Sequence, residues 1–163
     1  MNAGAYGGEI AGVCTGAEIM DCDGNSRWYT KEELDFSYRH SRLETEGGIA
    51  VCAEFCLEPK PEEEIRAVMR ELLGKRKKSQ PLELPSAGSA FKRPAQGYAA
   101  ALIDETGLKG LRRGGAAVSE KHAGFIVNLG GATAADVKAL YKEVSDRVFE
   151  KTGIRLEPEG RIW

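Results

Sequence analysis

The chain has 163 residues, 42% of them hydrophobic, and 23 Lys and Arg against 25 Asp and Glu give a formal charge of -2. That length fits one compact domain, or a small one with an appendage, and is enough to bury a real core. No apolar run reaches membrane-spanning length and the N-terminus lacks the basic-then-apolar order of a signal peptide, so a cytoplasmic protein without a membrane partner is expected.

Residues 2 to 9, Asn-Ala-Gly-Ala-Tyr-Gly-Gly-Glu, are glycine-rich and show neither helical nor strand periodicity. Short β-type runs follow at Ile10 to Cys14 and Glu18 to Met20, with Asp23-Gly24-Asn25 as a hairpin turn. Thr30 with Glu33 has the spacing of a capping box opening a brief helical turn. Ile49 to Leu57 reads as a strand. Cys52 and Cys56 fall on one face of it and are expected to be buried free thiols, like the remaining cysteines Cys14 and Cys22 outside any disulfide. Neither His40 nor His122 lies at metal-ligand spacing from a cysteine, so no metal site is expected.

Pro61 at a first helical position, three glutamates after it, and Ile65, Val68, Met69, Leu72 and Leu73 at helical spacing predict an amphipathic helix that ends near Lys75 to Lys78. Cations complement a helix C-terminus. The near-neutral charge and the lack of interleaved aromatics favour that reading of the basic cluster over a nucleic-acid groove. Gly97 to Glu105 reads as a short helix with Ala100, Ala101 and Ile103 at packing positions and Gly107 as its stop. Ala116 to Ser119 and Gly124 to Leu129 read as strands joined by Glu120, Lys121 and His122. Thr133 with Asp136 starts a last helix that carries Val137, Leu140, Tyr141, Val144 and Val148 and stops at Gly153. A final strand is expected from Ile154, with Ile154 and Leu156 inward and Arg155, Glu157, Glu159 and Arg161 outward. Helices alternating with short strands make the fold class α+β.

Four segments could carry chemistry. Pro85 to Pro94, Pro-Ser-Ala-Gly-Ser-Ala-Phe-Lys-Arg-Pro, combines hydroxyls at Ser86 and Ser89, a glycine that allows close backbone approach, and the cations Lys92 and Arg93. The same composition also suits an ordinary surface turn. In Tyr38-Arg39-His40-Ser41 the guanidinium could hold a carboxylate through two parallel hydrogen bonds, while His40 is expected to be a bystander. Pro158 would break strand pairing beside Glu159 and leave that carboxylate at an irregular spot, although interleaved charges there also describe a solvated edge. Gly114-Gly115 before a strand suits close packing, and Ser119 to His122 form a polar tip that could touch a ligand.

These segments, in this order, resemble the UDP-N-acetylenolpyruvoylglucosamine reductase family. The matching pieces are residues 2 to 9, Phe36 to Ser41, Pro85 to Pro94, Gly107 to Gly110, Gly114 to Asn128 and Leu156 to Glu159. Direct passage from the Ile49 strand through one helix to the Ser89 loop is similar to the shorter of the family's two types. The resemblance implies a flavoenzyme of peptidoglycan synthesis in which NADPH reduces FAD and reduced FAD delivers hydride to UDP-N-acetylglucosamine enolpyruvate, giving UDP-N-acetylmuramate. It assigns Arg39 to the substrate carboxylate, Ser89 to proton donation and Glu159 to the enol-like intermediate. It places Arg76, Lys92, Arg93 and His122 in the nucleotide-sugar site, and Asn2, Ala3, Gly4 and Tyr6 at the flavin.

The same resemblance implies a division into a partial, β-rich FAD-binding lobe at residues 1–58, a connecting helix at 59–78 and a substrate-binding α+β domain at 79–163. A Gly-rich pyrophosphate loop would lie upstream of that partial lobe. The expectation is that this chain alone does not retain FAD and does not turn over, and the alternative reading is a non-catalytic UDP-sugar-binding module. Two positions depart from the pattern: Gly160 where the family usually has valine, and Arg93 where some members have asparagine.

Overall fold

The computed structural model describes residues 1–160, and the chain divides into two compact units, one ending at Met69 and the other beginning at Arg70. The expected position of Arg161 lies outside the described residues. The fold is α+β, with four α-helices and three sheets among the described residues. No described helix is long and apolar enough to cross a membrane.

In the first unit, the glycine-rich opening is a hairpin of β1 (Gly4–Ala5) and β2 (Gly8–Glu9). Tyr6 and Gly7 at its tip both have positive φ, as a type I′ turn demands. Ile10–Gly12 is a 3-10 turn, not the start of a strand. β3 (Cys14–Met20) then pairs antiparallel with β4 (Ser26–Thr30), through a turn in which the Asp21 carboxylate accepts from the Asp23 and Asn25 amides at 3.0 and 2.9 Å. The expected capping box exists: the Thr30 amide donates to Glu33 at 2.9 Å and the Glu33 amide to the Thr30 hydroxyl at 3.4 Å. After α1 (Arg42–Glu46), β5 (Ile49–Phe55) joins the other edge of β3, giving the order β4-β3-β5. A small core of Cys14, Ala17, Ile19 and Leu34 holds this unit. Along β5, Ile49, Val51 and Phe55 are exposed, and Cys52 and Cys56 are exposed free thiols, not buried ones. A strand paired along one edge with neither face covered leaves the side chains of both faces open to solvent, and every residue of β5 is exposed.

The next helix, α2 (Glu62–Ser79), starts one residue after Pro61 and ends on Arg76, Lys77 and Lys78 as the charge pattern predicts. Its apolar stripe is present but uncovered: Ile65, Val68, Met69 and Leu73 are exposed. The boundary between the two units falls inside this helix.

The second unit is built on one antiparallel sheet in the order β6-β9-β8-β7, from β6 (Ser86–Ser89), β7 (Arg112–Arg113), β8 (Ala116–Val118) and β9 (Phe125–Asn128). Between β6 and β7 lies α3 (Ala99–Glu105), stopped at Gly107 with φ +76°; it buries Ala99 and Ile103, whereas Ala101 is exposed. The last helix, α4 (Ala134–Thr152), has the complete Thr133–Asp136 capping box and a left-handed Gly153 stop. It packs on β7, β8 and α3 and sinks Leu140, Tyr141, Val144 and Val148 into the core with Ile103, Val118, Phe91 and Leu156. Each fully buried aliphatic of this set is worth about 1.5–3 kcal/mol over leaving it in water. Among the described residues after Gly153 there is no strand, and Pro158 alone makes a bridge, to Phe91. Ile154 and Leu156 still face inward, and the Ser145 hydroxyl ties the segment to α4 by donating to the Leu156 carbonyl at 2.9 Å.

Candidate functional site

Ser89 owes its place to a bulge. From Ser86 to Ser89 β6 takes three steps while its partner β9 takes two, from Val127 to Phe125, and Gly88 in between has φ +90°. A β-bulge re-aims the side chain after it, and only glycine takes this backbone without strain. The two serines then separate in role. The Ser86 hydroxyl donates to the Ile126 carbonyl at 2.7 Å and accepts from the Gly88 amide at 3.3 Å, so it holds the bulge, while Ser89 is exposed.

The residues after Ser89 are clamped on both sides. The Ala90 amide donates to the Gly124 carbonyl at 2.8 Å, the Glu159 amide to the Ala90 carbonyl at 2.9 Å, and the Lys92 amide to the Glu157 carbonyl at 2.8 Å. This ladder brings the backbones of Ser89, Lys92 and Glu159 side by side across nearly seventy residues of sequence. Burial differs usefully among them, Glu159 being half-buried while Ser89 stays exposed. Lys92 forms an ion pair with Glu157 at the surface, a contact of small energetic weight there.

His122 joins from the other flank. Its ring packs edge-on against Phe125, the cross-strand partner of Ser89, with centroids 5.0 Å apart. Its Nδ1 accepts from the Gly124 amide at 3.1 Å, which in the neutral ring leaves the proton on Nε2. Ser119, expected at a polar tip, is buried, and its hydroxyl accepts from the Lys121 and His122 amides at 3.2 and 3.3 Å, so it shapes the turn that presents His122. Arg93 is exposed, with its guanidinium 4.1 Å from the centre of the Tyr98 ring. Arg76 stands in the last turn of α2, half-buried. The pair Gly114-Gly115 serves packing: a Cβ on Gly115 would lie 2.4 Å from both the Gly130 carbonyl oxygen and the Ala132 nitrogen.

The remaining candidates belong to the first unit. Tyr38 and Arg39 are the central residues of a two-residue turn closed by Ser37 and His40, whose amides and carbonyls exchange hydrogen bonds of 3.3 and 3.2 Å. Arg39 has φ +57°, a left-handed conformation that a non-glycine residue holds only where its surroundings impose it, and its Nε is buried. His40 lies 3.5 Å from the Asp35 carboxylate. At the N-terminal hairpin, Asn2 is buried, its side-chain amide donating to Glu9 and its carbonyl accepting from the Ala11 amide at 2.9 Å. Asn2 therefore braces the hairpin, whereas Ala3, Gly4 and Tyr6 are exposed on it. Exposed backbone with left-handed turns is a surface that fits contact with a flat ring or a phosphate. No cluster of His, Cys, Asp and Glu suited to a metal occurs among the described residues.

Sequence reasoning missed β6 and its bulge, since Ser-Ala-Gly-Ser carries no strand signal. It also missed that Tyr141 lies against this site. A lone aromatic in a helical stripe reads as core, and only the fold shows what its hydroxyl reaches.

The family model for "UDP-N-acetylenolpyruvoylglucosamine reductase, C-terminal domain" matches residues 80–163. UDP-N-acetylenolpyruvoylglucosamine reductases of Agathobacter rectalis and Alkaliphilus oremlandii are 52% and 50% identical over 162 residues, which is 99% of this chain and 52% and 53% of theirs. The crystal structure of UDP-N-acetylenolpyruvylglucosamine reductase from Thermus caldophilus is similar with a TM-score of 0.84 and 45% identity, covering 100% of this chain and 57% of that one. The chain thus spans about half the length of the curated relatives it matches. With a family match over its second half and like-named relatives along its whole length, the chain belongs to the UDP-N-acetylenolpyruvoylglucosamine reductase family.

Proposed function

We propose that this chain is the substrate-binding portion of a reductase that saturates the enolpyruvyl ether of a UDP-N-acetylglucosamine derivative in peptidoglycan synthesis, in the cytoplasm. The observation that carries the reading is the ladder that sets Ser89, Lys92 and Glu159 on adjacent backbones, with His122 packed behind Phe125. FAD, reduced by NADPH, supplies the hydride when bound, and Ala3, Gly4 and Tyr6 are the residues here that would meet it, on a hairpin braced by Asn2.

Two electrons and one hydrogen arrive at C3 of the enolpyruvyl group, so negative charge builds on C2 and its carboxylate. Ser89 then gives its proton to C2, which completes the saturated ether. A serine hydroxyl is a weak acid, and it serves only because the developing carbanion is far more basic. Arg39 holds the carboxylate by paired hydrogen bonds, and Glu159 stabilises the enol-like form. Lys92, so near in the chain to Ser89, eases the transient alkoxide. Arg76, Arg93 and His122 line the nucleotide sugar.

Calorimetric titration of the chain with UDP-N-acetylglucosamine enolpyruvate tests this reading. Salt-sensitive binding that Arg76→Ala weakens is expected, and no heat at millimolar protein would count against it. The second reading is a non-catalytic UDP-sugar-binding module. Flavin absorbance in the purified chain together with NADPH oxidation would reject that one.

A further inference from the structure

Glu159 has a neighbour that the reading above leaves unused. Tyr141 on α4 is buried, at 8% exposure, with its ring edge-on to Phe91 at 5.3 Å between centroids. Its hydroxyl lies at Gly160: a Cβ built there would stand 3.0 Å from the Tyr141 oxygen. Phe91 is itself the bridge partner of Pro158, and the residue before it accepts the Glu159 amide. One tyrosine thus touches both chain segments that hold Glu159, one through its ring and one through its oxygen. Tyr141 also lines a cleft of about 390 Å³ together with Pro85 to Gly88 on the bulged strand and Ile126 to Asn128. It therefore borders the bulge that presents Ser89 as well as the segment that presents Glu159.

We propose that Tyr141 is a positioning residue for Glu159, wedged between Phe91 and Gly160 so that it fixes the main chain carrying the carboxylate, and that Gly160 is the space that admits its hydroxyl. This inference rests on the functional reading of Glu159 only for its catalytic meaning; the geometry is independent of it. Charge agrees with placement: burial first, and then the negative charge of Glu159, push the Tyr141 phenol above its ordinary range. Among the described residues, Glu159 is the charged group that acts on it.

Two measurements on the whole chain test the proposal. In the first, phenol ionisation is followed by ultraviolet absorbance against pH, with Tyr141→Phe identifying the Tyr141 component. Glu159→Gln should lower the midpoint of that component and leave the other tyrosines unmoved; an unchanged midpoint overturns the proposal. The second is a double-mutant cycle in stability. Gly160→Ala should cut the folded-to-unfolded ratio roughly fivefold beside tyrosine, the low end for overpacking, and by less than about twofold in the Tyr141→Phe background. Equal losses in both backgrounds would show that the oxygen and Gly160 do not meet. Should Gly160→Ala fail to fold, the phenol titration alone decides. If both measurements agree with the wedge while no substrate binding is found by calorimetry, the functional reading fails and the wedge stands.

Discussion

Replacing Gly88 by alanine isolates the conformational demand of the bulge. A Cβ at Gly88 meets nothing within 4 Å, so the substitution carries no packing cost, and the whole effect must come from φ +90°. Holding an L-residue in the left-handed region costs about 1–2 kcal/mol. Loss of glycine's extra freedom in the unfolded chain offsets this by about 0.4–1 kcal/mol if the native backbone can be kept, so the net is on the order of 1 kcal/mol. Native-state hydrogen exchange at Leu140, Val144 and Val148, the innermost residues of α4, reads the stability of this unit directly. Their protection should fall roughly fivefold in Gly88→Ala. Gly88→Asn should lose less, since asparagine tolerates the left-handed region. Unchanged or greater protection in Gly88→Ala, or an asparagine variant worse than the alanine one, would refute the bulge as the element that presents Ser89.

Three further expectations follow from the same structure. Gly74 lies inside α2 with open space where a Cβ would go, so Gly74→Ala should stabilise that helix by about 0.8–1 kcal/mol, read as a higher urea midpoint. Gly115→Ala should be costly, about 1–3 kcal/mol or more, because its Cβ would strike rigid backbone at Gly130 and Ala132, and thermal melting will show it. Asp136 has its carboxyl held below the ordinary range, chiefly by the Thr133 amide, so its capping stabilisation is present above the unfolded carboxylate pKa and is lost as pH falls through the lower folded value. The stability gap between the native chain and Asp136→Asn should accordingly be full near neutrality and close in acid, and a gap that widens in acid would contradict the cap.

Much of the fold was legible in the residues. Helix α4 announced its start by Thr133 and Asp136, its face by Leu140, Val144 and Val148, and its end by Gly153, because capping and periodicity are local signals. The hairpin at Asp21 to Asn25 and the ends of α2 were legible for the same reason. What escaped depended on partners far away in sequence. Residues 2 to 9 form a hairpin through a positive φ at Tyr6 that tyrosine does not advertise, and Ser86 to Ser89 is a strand only because β9 lies beside it. The stretch after Gly153 alternates like a strand, yet its described residues make one bridge, at Pro158, which lacks an amide to extend a ladder. The alternation of Cys52 and Cys56 implied burial, but a face is buried only if something covers it, and β5 is an uncovered edge. At the site, the family resemblance named Ser89 and Glu159, while the ladder joining them and the role of Tyr141 required coordinates.

The central claim is that Ser89 donates the proton that completes substrate reduction. Rapid-mixing absorbance of a full-length reductase carrying this sequence as its C-terminal portion separates the two half-reactions. Ser89→Ala should leave flavin reduction by NADPH intact and slow substrate-dependent flavin reoxidation by orders of magnitude, whereas equal loss in both halves, or none in the second, would contradict the account.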